Sequence, residues 1–347
     1  GAANPLAFFS TAGAKFAGNR FFWTDPLKSA TFVGLGSVMR SNPKDAGNRF
    51  REIERTWREI ADDAVVSPDA PLHAGPFFFG GFSFDPLKPG TELWRHYPHT
   101  LFVVPEYMLT VLDDGCWLTI NRKVSPWEEA ASVPDDWESL QALGEAFAAS
   151  PKITPVLKEE IDPAGWMQSV EEAAQAVRNG ELDKIVLARE LRVFADRPFA
   201  VQDVLARLYA ENANSYIFAL EQGEHCLIGA TPERLVKSEG NRLLSTCLAG
   251  SIARGKTDEE DDALGKKLYH DVKNLHEHAL TARMIGDTMR RFCDHVETPE
   301  GLILYKLKDI QHLYTPVTGE AKEGVTILKL VEELHPTPAL GGLPRQQ

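Results

Sequence analysis

Strand-like stretches in this chain come in neighbouring groups instead of alternating one by one with helices, and that grouping limits the fold more than any other feature. "PFFFGGFSFDP" (76–86), "LFVVPEYMLTVL" (101–112) and "CWLTINR" (116–122) follow one another, the last two separated by Asp113-Asp114-Gly115, a strong hairpin turn signal. A second group, "SYIFALE", "HCLIGAT", "RLVKSEG" and "RLLSTCLAGS", lies between residues 215 and 251. Strands joined by short turns pair antiparallel, whereas a doubly wound fold needs a crossover helix after each strand. The expectation is therefore an α+β fold with antiparallel sheets. "GLGS" at 34–37 lacks the third glycine and the following helix of a dinucleotide site.

Helical periodicity marks three other segments. Phe50, Ile53, Trp57 and Ile60 form an apolar face within 42–64; Trp166, Val170, Ala173, Ala174 and Val177 form another that stops at Asn179-Gly180. A single long helix is predicted from about Asp258 to Cys293, with Leu264, Leu268, Val272, Leu275, Ala279, Ala282 and Met289 as its core stripe and His270, Lys273, Glu277, Leu280, Thr281 and Met284 opposite. Residues 149–163, mixing prolines and charges, are the best boundary, giving a sheet-rich region 1–155 and a second region 156–347. No short-period repeat or low-complexity stretch interrupts them.

A net charge of −13, from 50 acidic against 37 basic residues, argues against nucleic acid or an anionic membrane as partner, so an anionic ligand has to be met by a local site. Cys116, Cys226, Cys247 and Cys293 are far apart and form no CxxC pair, which suits reduced thiols and a cytoplasmic protein. No apolar run has the length of a signal peptide core or a membrane span.

The candidate chemistry is scattered. "LDKIVLARE" (182–190) reads as a buried strand with one ammonium, Lys184, that either snorkels to water or has a task. Glu233 follows Thr231-Pro232 and by default is a surface carboxylate. Glu277 points away from the expected core stripe, with Lys273 as its i−4 neighbour. His276 and His278 of "HEH" project from different helix faces, unlike a zinc pair, and read as capping, packing or hydrogen-bonding groups. Gly250 and Ser251 lie in a small-residue loop that either presents backbone N–H groups to an anion or merely turns. "HPTPALGG" (335–342) is a stiff loop around Ala339.

The order of these motifs is more specific than any one of them. "LDKIVLAR", "GATPE", "LAGSIARG", "KNLHEH", "HLYTPVTG" and "HPTPALGG" resemble, in sequence, the motifs of the chorismate-utilising enzymes, the superfamily of anthranilate, aminodeoxychorismate, salicylate and isochorismate synthases. The resemblance covers residues 160–347 and is greatest to isochorismate synthases, with "FGGFSFDP" most like the menaquinone-pathway type. It implies large antiparallel sheets packed face to face with helices outside. It implies a reaction in which chorismate gains a hydroxyl at C2 and loses its C4 hydroxyl, with Mg²⁺ bound and no redox change.

By the same resemblance Lys184 is the base, Glu233 the general acid, Glu277 a magnesium ligand, and Gly250, Ser251, His312 and Ala339 line the substrate. Ammonia-using anthranilate synthases have glutamine where Lys184 stands, aminodeoxychorismate synthases have a "PIKG" loop where this chain has "CLAGS", and members that eliminate pyruvate have threonine near Ala339. These differences favour isochorismate synthase, with salicylate synthase or a catalytically silent chorismate-binding protein as the alternatives. The expected protein is a cytoplasmic monomer, with a dimer as the other option. Family members continue beyond "HPTPALGG" through a segment bearing another metal-binding glutamate and a carboxylate-binding arginine, so 156–347 is expected to lack that final segment.

Overall fold

The computed structural model describes residues 3–66, 70–71, 74–88, 90–125 and 154–344. Positions 149–153 of the expected boundary and 345–347 of the tail lie outside them. Contacts divide the chain into two units, Gly1–Pro151 with Phe199–Pro232, and Lys152–Pro198 with Glu233–Gln347. The sequence reading runs 156–347 as one region, whereas 199–232 packs with the first unit because its two strands extend that unit's main sheet.

The first unit starts with α1 (Pro5–Thr11), capped by the Asn4 side chain on the Leu6 and Ala7 N–H groups, and α2 (Gly13–Phe16). Strands β1 (Arg20–Thr24), β2 (Ala30–Leu35) and β3 (Met39–Ser41) follow, then α3 (Arg49–Asp63), β4 (Phe79–Phe82), β5 (Thr100–Val104), β6 (Tyr107–Leu112) and β7 (Gly115–Ile120). The expected α3 face is the buried one: Phe50 and Ile53 are buried, Phe50 meets Phe82, and Trp57 stacks on Phe78.

Pro105 divides the run 101–112. Having no N–H, a proline ends a ladder; β5 joins the three-stranded sheet β3-β5-β4, while β6 joins the large one. Its ring lies on Gly34, where an added Cβ would sit 2.7 Å from Pro105 Cγ. Leu112 pairs with Gly115 across Asp113-Asp114, the hairpin that the turn residues predict.

The chain then crosses to the second unit for β8 (Pro155–Glu160), α4 (Pro163–Arg178) and β9 (Leu191–Ala195), and returns to the first for α5 (Val201–Glu211), β10 (Tyr216–Gln222) and β11 (His225–Thr231). The large sheet has the order β11-β10-β1-β2-β6-β7, antiparallel throughout. Phe8, Phe9, Phe22, Val33, Leu35, Leu205 and Ile217 form its core. Arg20 and Glu221 are buried together there, 2.5 Å apart, with Phe9 O and Gly18 N completing their hydrogen bonds. All polar partners are thus supplied inside, as a buried ion pair requires.

In the second unit α4 ends at Asn179, with Gly180 at φ +74°. The segment 182–190, expected as a buried strand, forms no ladder among the described residues beyond a single bridge from Lys184 to Leu343; Ile185 and Val186 are exposed, and the regular strand begins only at Leu191. Its apolar content specifies burial but supplies no hydrogen-bonding partner for the backbone.

The rest of this unit is β12 (Lys237–Glu239), β13 (Arg242–Ala253), α6 (Asp258–His270), α7 (Val272–Phe292), β14 (Cys293–Glu297), β15 (Ile303–Lys306), β16 (Ile310–Ala321) and α8 (Ile327–Leu334). The sheet runs β12-β13-β16-β14, with β15 also on β16. The predicted single helix is two. At Asp271 the backbone turns extended (ψ 108°) and its side chain accepts the Asn274 N–H, starting α7 in a new phase. The core face of α7 is therefore His278, Thr281, Ile285 and Met289, packed near Cys247, Ala249, Val317 and Leu330, while Val272 of the expected stripe is 80% exposed. Among the described residues no helix is long and apolar enough to cross a membrane.

Candidate active site

Glu277 lies in the second turn of α7, so its position depends on the break at Asp271. Its Oε1 is 3.3 Å from Lys184 Nζ. Lys184 is held by its backbone: Asp183 N and Lys184 N donate to Leu343 O at 2.9 and 3.3 Å, and Leu343 N donates to Lys184 O at 2.8 Å. Its Nζ also donates to the Pro338 carbonyl. The side chain is 11% exposed, so the amine does not snorkel to solvent; it is directed onto a carboxylate and a carbonyl.

Glu233 follows the stiff Thr231-Pro232 pair. Burial pushes its carboxyl above the usual glutamate range, opposed by the Lys184 charge. Lys184, Glu233 and Glu277 all act electrostatically on the buried Cys247. Its thiol is raised by burial first, then by Glu233 and Glu277, while Lys184 pulls the other way. Lys184, Glu233 and Glu277 thus share one neighbourhood although 93 residues of chain separate the first from the last by number.

Gly250 sits where β13 bulges against β16, between Leu248 and Ser251. Its φ is +83°, and an added Cβ would lie 3.2 Å from Asn274 Cβ, Asn274 O and Leu313 Cδ1, so both conformation and space call for glycine. Beyond the bulge Ser251 pairs with His312; Ser251 Oγ and His312 Nδ1 share a hydrogen bond of 2.7 Å. Burial lowers the His312 pKa, favouring the neutral ring. Ala339 is half-buried, next to the Pro338 carbonyl that takes the lysine, and its N–H donates to Thr337 Oγ1 at 3.3 Å.

Sequence reasoning leaves out the groups that hold these residues. The Pro338 carbonyl is a backbone atom with no side-chain signature. Asp271 and Asn274 form a D-x-x-N capping pattern, a start signal set within continuous apolar spacing. His278 is 2% exposed; its Nδ1 donates to Ala249 O at 2.9 Å and its Nε2 accepts from Thr315 Oγ1 at 2.8 Å, so it hydrogen-bonds as the sequence suggests.

Among the described residues no group of three or more His, Cys, Asp and Glu side chains could enclose a metal. One carboxylate, Glu277, offers hard oxygen donors. That suits Mg²⁺, which binds through one or two carboxylates with water and substrate oxygens filling the remaining positions. It does not suit zinc, which favours nitrogen and sulfur donors.

The family model described as chorismate binding enzyme matches residues 1–347. Isochorismate synthase MenF of Bacillus subtilis (strain 168) is 40% identical over 352 residues, covering 99% of this chain and 74% of that protein. The salicylate biosynthesis isochorismate synthase of Pseudomonas aeruginosa is 34% identical over 334 residues, covering 93% and 67%. Among solved structures, the menaquinone-specific isochorismate synthase MenF of Escherichia coli superposes with a TM-score of 0.76 at 22% identity, over 99% of this chain and 74% of that one. That likeness establishes the fold as mixed α+β with several antiparallel sheets.

Proposed function

The chain belongs to the chorismate-binding enzymes, and from that premise we propose how its site performs the reaction of an isochorismate synthase. Identity of 40% over 99% of the chain makes isochorismate synthase its activity. The observation that supports the assignment of roles is the 3.3 Å contact of Lys184 with Glu277, with Glu233 close enough for the Lys184 charge to act on its carboxyl.

Chorismate becomes isochorismate by taking a hydroxyl at C2 and releasing the one at C4, so one water enters and one leaves. Lys184, in its uncharged amine form, removes a proton from the incoming water as oxygen bonds to C2. Glu233 gives a proton to the departing C4 oxygen, whose bond breaks as the ring double bonds shift. Burial of Glu233 favours the protonated carboxyl that this step requires. Glu277 would hold Mg²⁺, which when bound would supply positive charge for the substrate's ring carboxylate. This answers how a chain with 50 acidic residues accepts a dianion. Gly250, Ser251, His312 and Ala339 line the substrate. The protein works as a cytoplasmic monomer, and its product enters menaquinone synthesis.

Incubation with chorismate and Mg²⁺, followed by chromatography and mass analysis, tests the reading. Isochorismate forming above a boiled control supports it. Salicylate with pyruvate in place of isochorismate assigns the salicylate reaction instead, and no turnover with calorimetric chorismate binding makes the chain a silent binder.

A further inference from the structure

Two side chains of α7 grip the Gly250 bulge from opposite sides of that glycine. Before it, His278 Nδ1 donates to the Ala249 carbonyl at 2.9 Å; after it, Asn274 Oδ1 accepts the Ser251 N–H at 3.2 Å. Residues 274 and 278 are i and i+4, so they lie on one face of the helix, and Glu277 stands one turn from Asn274 on the same helix. Each is itself fixed. Asn274 Nδ2 donates to Asp271 Oδ1 at 2.9 Å, which turns its oxygen toward Ser251, and the Thr315 hydroxyl bonded to His278 Nε2 comes from β16.

We propose that Asn274 and His278 are positioning residues that clamp the Gly250–Ser251 bulge to the helix carrying Glu277, setting the spacing between substrate cradle and metal ligand. The proposal rests on the roles given above to Glu277, Gly250 and Ser251. A bulge interrupts the ladder and leaves its extra residue without strand pairing. The β13–β16 register breaks between Leu248 and Ser251. Beside the in-sheet Ser251–His312 bond, the α7 side chains hold the bulge from outside the sheet with two bonds, one on each flank. The D-x-x-N cap has a purpose in this scheme beyond starting a helix, since it directs the Asn274 amide.

The test compares Asn274→Ala, His278→Phe and His278→Asn with the wild-type chain. Readouts are kcat and KM for chorismate at saturating Mg²⁺, Mg²⁺ affinity by calorimetry, and unfolding midpoints. His278→Asn keeps an N–H donor near the Ala249 carbonyl, whereas His278→Phe keeps only the ring. Loss of one placing hydrogen bond is expected to raise the KM of Asn274→Ala and His278→Phe about tenfold, with kcat changed less. His278→Asn should recover most of that KM. A purely structural role would lower the active fraction and kcat and leave KM alone.

Unchanged KM in folded Asn274→Ala, or equal KM in His278→Phe and His278→Asn, overturns the clamp. If His278→Phe does not fold, Asn274→Ala decides alone, and if it fails too, loss of Ser251 N–H protection from exchange in the milder Asn274→Ser replaces the kinetic readout. Protection that persists there also overturns the clamp. An inactive wild-type chain would instead refute the assigned reaction.

Discussion

Replacing Lys184 by methionine should destroy turnover and at the same time tighten magnesium binding. At the observed 3.3 Å, the attraction between Lys184 Nζ and Glu277 Oε1 is about 5 kcal/mol at an effective dielectric of about 20. Desolvation of the amine, 11% exposed, and screening of the carboxylate, 28% exposed, cancel most of this, leaving a net of about 1–2 kcal/mol. A cation taking the Glu277 oxygens must displace that ammonium in the wild type but not in the variant. Lys184→Met, which keeps most of the side-chain volume, should therefore bind Mg²⁺ about 5- to 30-fold more tightly. Loss of the general base should lower kcat by about 10²- to 10⁴-fold. Titration calorimetry of Mg²⁺ into substrate-free protein and a chorismate turnover assay give the two numbers. Equal or weaker Mg²⁺ binding in the variant would refute the competition, and near-normal turnover would remove Lys184 from the mechanism.

Glu233→Gln should remove a pH dependence of stability. Because the folded carboxyl keeps its proton to higher pH than the unfolded one, wild-type stability falls as pH rises from the ordinary glutamate value through the raised one. The variant's urea midpoint should exceed the wild type's increasingly across that window, and a pH-independent difference would contradict it. Gly250→Ala should cost about 1–3 kcal/mol, from its φ of +83° and the Asn274 contact; an unchanged denaturation midpoint would speak against the described backbone. Glu221→Leu leaves Arg20 buried without its carboxylate and should cost about 3–5 kcal/mol, much of it recovered in Arg20→Met/Glu221→Leu; equal stability of the single and double variants would contradict the described pair.

What could be read from the sequence was what local chemistry specifies. Asp113-Asp114-Gly115 fixes the β6–β7 hairpin, Asn179-Gly180 ends α4, and the Phe50–Ile53 face turns inward. Where two local signals compete, apolar spacing alone misleads. The apolar spacing through Leu268, Val272 and Leu275 suggests one helix, but the Asp271 cap resets the phase and leaves Val272 in solvent. The run 182–190 has the composition of a buried strand, yet composition names no partner. The candidate site residues are marked by the order of their motifs, because nothing local distinguishes Glu233 from a surface carboxylate. The geometry linking positions 184, 233, 277 and 338 is long-range, and part of it is carried by the carbonyls of Pro338 and Leu343, which have no residue-type signature.

The excursion of Phe199–Pro232 into the first unit has a consequence for synthesis on the ribosome. One edge of β1 is covered by β10, which emerges roughly 190 residues later, so at about 5–20 residues per second that edge waits some 10–40 s for its partner. Through that interval the nascent chain presents "RFFWT" with unpaired backbone groups, the kind of template that recruits neighbouring polypeptides. Chaperone dependence and losses to aggregation should accordingly concentrate in the time before Tyr216 is translated.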